Sequence, residues 1–280
     1  MREEAVRKSI FVLSLVSGLA ASAAWAQPYP PNGEGVTMGH WHLNSRDIDA
    51  NKKIFVALGG TAIKAGDFDI VRFPGVNVYL NVRPGSPPAS GGTVGSVVNH
   101  VGFLVSNVQD SVAKWKNAGV DVTPGNNGRT DQAFVVTSDG LRIEILEDKS
   151  QKVPIRHHHV HFFVPETAIT DMQAWYGKLF GATPGTRSSF KTAYVPGAEL
   201  AFSKTGESTV GTKGRVLDHI GFDVNNLDAF LKKAAAASVT PVVAPTTNPK
   251  NGVSLAFIAD PWGTYIELNQ RPNQTYLDQM

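Results

Sequence analysis

Apolar and polar positions along the chain follow two periods in turn. A period of two marks a strand, and a period near 3.6 marks an amphipathic helix. Gly39-His40-Trp41-His42-Leu43 reads as a strand, followed by a helical stretch over Asp47–Leu58 that ends at Gly59-Gly60. Asn99-His100-Val101-Gly102-Phe103 opens in the same way before Val108–Ala118, where Val112 and Trp115 stand at helical spacing and Gly119 follows. His159-Val160-His161-Phe162-Phe163 precedes Ala168–Phe180 and Gly181, and Asp218-His219-Ile220-Gly221-Phe222 precedes Leu227–Ala237. Glycine just beyond a helix suits a left-handed end cap.

Short β-like runs close each unit: Ile70–Phe73 and Val76–Val82, Ala133–Val136 and Leu141–Leu146, Thr192–Val195 and Leu200–Phe202, Leu255–Ile258 and Tyr265–Leu268. The repeating unit is therefore strand, helix, then two or three strands, and it occurs four times. The spacing is regular. His40 lies 119 positions before His159, His100 lies 119 before His219, and Glu144 lies 123 before Glu267. These offsets group the units, first with second and third with fourth, into domains over 36–150 and 151–280. Their join falls near Asp148–Pro154. The Gly-, Ser- and Pro-rich run Pro84–Gly95 reads as a flexible connection between the first two units. Trp115, Trp175, Tyr176 and Phe180 have apolar neighbours on their helices and read as core.

Composition narrows the chemistry. The 280-residue chain contains no cysteine, which excludes disulfides, thiolate metal sites, iron–sulfur clusters and a thiol nucleophile. Residues 1–26 read as a secretory signal: Arg2, Arg7 and Lys8, then an apolar run over Ile10–Ala23, then Ala24-Trp25-Ala26 as the cleavage site. Residues 27–35, rich in Pro and Gly, form an irregular lead-in. The mature chain carries 23 basic and 22 acidic side chains, so nothing steers it toward nucleic acid or an anionic membrane. A secreted or periplasmic protein acting on a small molecule is expected.

All eight histidines, His40, His42, His100, His157, His158, His159, His161 and His219, fall in opening strands or just before them. Alternation places His40 with His42 on one face, and His157 with His159 and His161 on another. Glu144 and Glu267 stand in apolar closing strands, where an ionised acid is costly unless it is paired or bound to a metal. Imidazoles and a carboxylate on a rigid sheet suit a divalent cation: Fe(II), Mn(II), Zn(II) or Ni(II). The tract Arg156-His157-His158-His159 also reads as an adventitious exposed metal-binding run, mainly through His157 and His158.

With its repeated His openings and the ending Asp260-Pro261-Trp262-Gly263-Thr264-Tyr265-Ile266-Glu267-Leu268, the chain resembles the vicinal oxygen chelate superfamily. That superfamily includes glyoxalase I, fosfomycin-resistance enzymes, extradiol dioxygenases and bleomycin-binding proteins. The resemblance spans about residues 36–270. It implies an α+β fold of four βαβββ modules paired into two domains, each a curved mixed sheet enclosing a cup. It also implies that each metal site takes one His from each module of a pair and a Glu from the last strand of the second. The C-terminal domain would then use His159, His219 and Glu267, with Glu199 as a fourth ligand. The N-terminal domain would use His40, His100 and Glu144, with Asn77 in the place of Glu199. The C-terminal site is thus the better working candidate, with Glu267 or Glu199 moving a proton. His161 and His42 would face the cavity and support a ligand or bind substrate.

Two departures restrict the activity. Phe257 stands where ring-cleaving dioxygenases carry a Tyr, and Ser254–Ile258 lacks their additional His. An exported chain would rarely meet a glutathione adduct. The expected function is a metal-dependent lyase/isomerase or dioxygenase. The alternative is a periplasmic protein that binds or sequesters a small molecule on the same fold without turnover.

Overall fold

A computed structural model of the chain describes residues 29–81 and 87–272. The expected signal 1–26 and the position Val82 lie outside the described residues. The first unit comprises β1 (Val36–Leu43), α1 (Ile48–Leu58), β2 (Thr61–Ala65), β3 (Phe68–Phe73) and β4 (Val76–Tyr79). The second comprises β5 (Val98–Val105), α2 (Val108–Asn117), β6 (Val122–Pro124), β7 (Gln132–Val136) and β8 (Arg142–Glu147). The third comprises β9 (Ile155–Val164), α3 (Ile169–Phe180), β10 (Thr183–Arg187), β11 (Phe190–Val195) and β12 (Ala198–Lys204). The fourth comprises β13 (Leu217–Val224), α4 (Leu227–Ala236), β14 (Val243–Thr247), β15 (Ser254–Ala259) and β16 (Tyr265–Gln270).

The helices start and stop for local reasons. Asp47, Asn107 and Asn226 cap α1, α2 and α4, each accepting from the amide three residues on. Such caps satisfy backbone donors that the first helical turn leaves over. Gly59 and Gly181 end α1 and α3 in the left-handed conformation. The expected βαβββ unit is thus present four times, with every helix within a residue or two of its expected bounds. The first closing strand of each unit, β2, β6, β10 or β14, escaped the sequence reading. Each is a sheet edge with mostly exposed side chains, so no apolar alternation marks it.

The units do not pair in chain order. One eight-stranded mixed sheet runs β14-β15-β16-β13-β1-β4-β3-β2, and the other β10-β11-β12-β9-β5-β8-β7-β6. The first and fourth units, the outer pair, share one sheet. The second and third, the inner pair, share the other. The divisions 36–150 and 151–280 are halves of the chain and each crosses both sheets. At the centre of each curved sheet two opening strands run antiparallel, β1 beside β13 and β5 beside β9. The apolar core lies on the face opposite His40, His42 and their counterparts. There Trp41 meets Phe103 and His157 at ring-centroid distances of 5.4 and 4.9 Å, tying the two sheets together. Trp115, Tyr176 and Phe180 are fully buried in this core, as expected, and Trp175 packs partly buried against it.

Candidate metal centres

Two groups of buried side chains converge on the sheets. His40, His42, His219 and Glu267 form the outer-pair group, and His100, His159, His161 and Glu144 the inner-pair group. Within each group the nearest ligand atoms all lie within 4.8 Å of one another. Six of the seven residues expected as ligands fall in these groups, Glu199 being the exception, but with exchanged partners. His219 and Glu267 meet His40 rather than His159, and Glu144 meets His100 and His159 rather than His40. The reason is the strand order: an opening strand can share a cup only with the strand beside it.

The outer-pair group is tight. Glu267 Oε2 lies 2.8 Å from His219 Nε2 and 3.5 Å from His40 Nε2. In the inner pair, Glu144 Oε2 lies 3.1 Å from His159 Nε2 and 3.4 Å from His100 Nε2. The Nε2 atoms of His159 and His219 are buried and outside hydrogen-bond alignment. They therefore aim at a point between the donors.

The other ring nitrogens are held. His219 Nδ1 is 2.7 Å from Asp218 Oδ1, His100 Nδ1 is 2.9 Å from Asn99 Oδ1, and His159 Nδ1 is 2.8 Å from His158 Nδ1. A held Nδ1–H leaves Nε2 as the lone-pair donor, the tautomer that a metal ligand needs.

Glycine seats the remaining rings. A Cβ on Gly102 would collide with the His159 imidazole, and one on Gly221 with that of His40. β5 and β13 thus each supply a histidine and, two residues later, a bare backbone position for the histidine of the neighbouring strand. The motif His-x-Gly-Phe was visible in the sequence, but the role of its glycine depends on which strand lies alongside.

Charge states suit a cation. Burial pushes His42 down to about 3, His100 to about 4 and His161 to about 2, and it also lowers His40. Burial opposes the charge on Glu144 and Glu267, but their histidine partners outweigh it and hold both carboxyls well below the usual range. Burial likewise opposes charge on His219, yet the carboxylates of Asp218 and Glu267 beside it raise it. Anionic carboxylates beside mostly neutral imidazoles are the protonation states a divalent metal binds. The residues therefore fit such an ion at both places.

Other expected residues fall differently. Glu199 sits beside His159 in the β9–β12 register, but Arg187 Nε donates to its Oε1 at 2.6 Å. It belongs to neither group. Asn77 pairs in register with His40, on the outer-pair sheet. His161 joins the inner-pair group, with Nδ1 3.1 Å from His100 Nε2 and Nε2 2.8 Å from Ser203 Oγ. His42 holds the matching outer place, its Nε2 donating to Asn81 O at 2.6 Å. His157 leaves the expected face because a bulge opposite Gly102 and Phe103 breaks the alternation. It turns into the core and donates from Nδ1 to Gly197 O at 2.7 Å.

The surroundings of the two groups differ. A cavity of about 710 Å³ opens on the inner pair, lined by His100, Glu144 and His161 together with Arg142, Arg187 and Phe190. Gln132, which the sequence reading passed over, donates from its side-chain amide to Glu144. This bond leaves Glu144 Oε2 for the imidazoles. Around the outer pair, Tyr79 lies 5.0 Å from the His40 ring and stacks on His42 at 5.7 Å. Phe257 and Tyr265 flank His219 at 5.2 and 5.9 Å.

Comparison with known proteins agrees with this geometry. Residues 158–268 match the model of the Glyoxalase/Bleomycin resistance protein/Dioxygenase superfamily. No curated protein matches the chain. Among solved structures, glyoxalase I from Zea mays superposes with a TM-score of 0.64 at 16% identity, covering 87% of this chain and 94% of that one. A Bacillus subtilis protein provisionally named a dioxygenase superposes with a TM-score of 0.57 at 14% identity, covering 85% of this chain and 86% of that one. At such identities the likeness is one of fold. The chain has the vicinal oxygen chelate fold from its first unit to its last, and over residues 158–268 its sequence resembles the glyoxalase/bleomycin resistance protein/dioxygenase superfamily.

Proposed function

We propose that the protein is an exported, metal-dependent enzyme whose reaction takes place at the inner-pair site, on a small molecule presenting two adjacent oxygens. One observation carries the reading. His100, Glu144 and His161, which converge with the fully buried His159, line a cavity large enough for such a molecule. Open positions beside three protein donors are what a catalytic metal site keeps and a closed structural one lacks. Export rests on the pattern of residues 1–26.

A bound divalent cation would supply Lewis acidity, drawing negative charge onto a substrate oxygen. The chain does the rest. His100 and His159 are locked in orientation by Asn99 and His158. Gln132 fixes Glu144 so that Oε2 faces the imidazoles. In a lyase or isomerase reaction, that Oε2 is the atom placed to take a proton from the substrate and return it to a neighbouring carbon. In a dioxygenase reaction Glu144 remains a ligand. His161 and Ser203 form a hydrogen-bonded pair at the cavity wall that can hold a proton or a substrate hydroxyl.

The test is elemental analysis of the purified protein, then metal loading (iron without air) and a turnover screen over vicinal diketones, hydroxy ketones and, with oxygen uptake as the readout, catechols. Metal at the inner pair that is lost with His100→Ala, together with turnover of one class, supports the proposal. Tight binding without turnover would favour the sequestering alternative. Metal uptake that His100→Ala and Glu144→Gln leave unchanged overturns it.

A further inference from the structure

The inner-pair cavity carries more charge than its metal ligands need. Four arginines line it, and three already have carboxylate partners. Arg129 grips Asp131 with two bonds of 2.8 Å, Arg156 reaches Asp148 at 3.4 Å, and Arg187 donates to Glu199 at 2.6 Å. Of the acids, Glu147 accepts from the Val108 amide and pairs with Lys149. Two charges stand apart: Glu144, which belongs to the metal group, and Arg142.

Arg142 precedes Glu144 by two residues on β8 and so shares its face. Among the described residues no carboxylate or other acceptor holds its guanidinium. It lies instead over the Phe134 ring, 4.2 Å from the centroid. It is close enough to His100 for its charge to disfavour protonation of that imidazole, in addition to the larger effect of burial. Arg187 adds a buried Nη2 with no partner of its own.

We infer that the inner-pair cavity takes an anionic small molecule, one with a carboxylate or similar oxyanion adjoining the oxygens that reach the metal group, and that Arg142 recognises it. The inference rests on the metal reading above and narrows it. A guanidinium offers a planar fork that matches a carboxylate with two parallel charge-assisted bonds. A divalent ion held by Glu144 and neutral imidazoles keeps a net positive charge, and Arg142 adds a second, which favours a negative ligand. A neutral diketone would leave Arg142 desolvated with nothing to accept from it, a costly arrangement. The outer pair makes a contrast. Tyr265 holds the place of Arg142 there, stacked on Phe257 at 4.7 Å, and the nearby Arg271 is already paired with Asp223 at 3.1 Å.

The test is calorimetric titration of the full chain with oxalate and with neutral 2,3-butanedione. It is run on zinc-loaded and zinc-free protein, with zinc content measured on the same samples. Oxalate should bind the zinc-loaded parent, and the zinc-free parent more weakly. Arg142→Gln should weaken oxalate by about tenfold or more, as expected for loss of a charge-assisted bond, and leave zinc content and butanedione unchanged. Arg142→Lys should recover part of the loss, which separates lost charge from misfolding. The inference is overturned if Arg142→Gln binds oxalate like the parent, if butanedione binds the parent more tightly than oxalate, or if neither form binds oxalate. Arg142-dependent oxalate binding by a protein that takes up no zinc would defeat the metal reading and leave this one standing.

Discussion

The outer and inner pairs place the same donors on the same frame, two histidines from adjoining opening strands and one glutamate from a closing strand. They differ in what surrounds those donors. Around the inner group stand Gln132, Arg142 and Ser203, and the cavity opens on it. At the matching outer places stand Leu255, Tyr265 and Asn81, with Tyr79 and Phe257 against the histidine rings. On the proposal above, the frame would hold a cation at either place, and the residues around it would decide whether a substrate can follow. A ligand set alone therefore does not identify the working site.

The strongest way to break this comparison is to remove one carboxylate at a time. Glu144→Gln should cost the protein its inner metal and all turnover while the outer metal stays. Glu267→Gln should do the reverse, lowering the metal content but keeping turnover. Losing a ligand should weaken the ion by more than the roughly 10–100-fold typical of losing a group that only orients one. Metal stoichiometry and activity on the same preparations decide the outcome. If Glu267→Gln abolished turnover, the roles assigned to the two sites would be reversed.

The glycine seats give the next largest effect. Gly102→Ala forces a methyl group into the space of the His159 ring, and Gly221→Ala does the same at His40. Overpacking of this kind costs about 1–3 kcal/mol, so a lower melting temperature is expected in both variants. Metal loss should be confined to the inner site in the first and to the outer site in the second. Because Gly102 and His159 lie in different units, this result would also test the exchanged pairing in solution.

That pairing is the part of the fold least legible in the sequence. Opening strands, helices and buried glutamates each leave a local pattern, and all were readable. An offset of 119 residues is satisfied whether the units pair in order or as outer and inner pairs, since it counts repeats and not hydrogen bonds. Connection lengths hold a better clue. Residues 148–154 must carry the chain only from β8 across β5 to β9, about two strand spacings or ~10 Å. Residues 80–97 are longer and lead from one sheet to the other. A short join at the middle of the chain therefore favours pairing the second unit with the third. The bulge that turns His157 into the core, and the Arg187 contact that holds Glu199, depend on tertiary neighbours and leave no local trace.

The finest difference between the sites lies behind a ligand, one residue before each second histidine. Asp218 backs His219 and Asn99 backs His100. A carboxylate accepting the Nδ1–H makes the imidazole a stronger donor at Nε2, which an amide does less well. Asp218→Asn should accordingly loosen the outer metal, and Asn99→Asp should tighten the inner one. Each shift should stay within about 10–100-fold, because the ligands themselves remain. The tighter inner site should also become a poorer Lewis acid, since added negative charge on the imidazole reduces the pull on a bound oxygen. Competition with a chromophoric chelator gives the affinities, and the rate of the loaded Asn99→Asp protein gives the cost. If that rate rose as affinity rose, the neutral amide at residue 99 could not be explained as keeping the inner cation electrophilic.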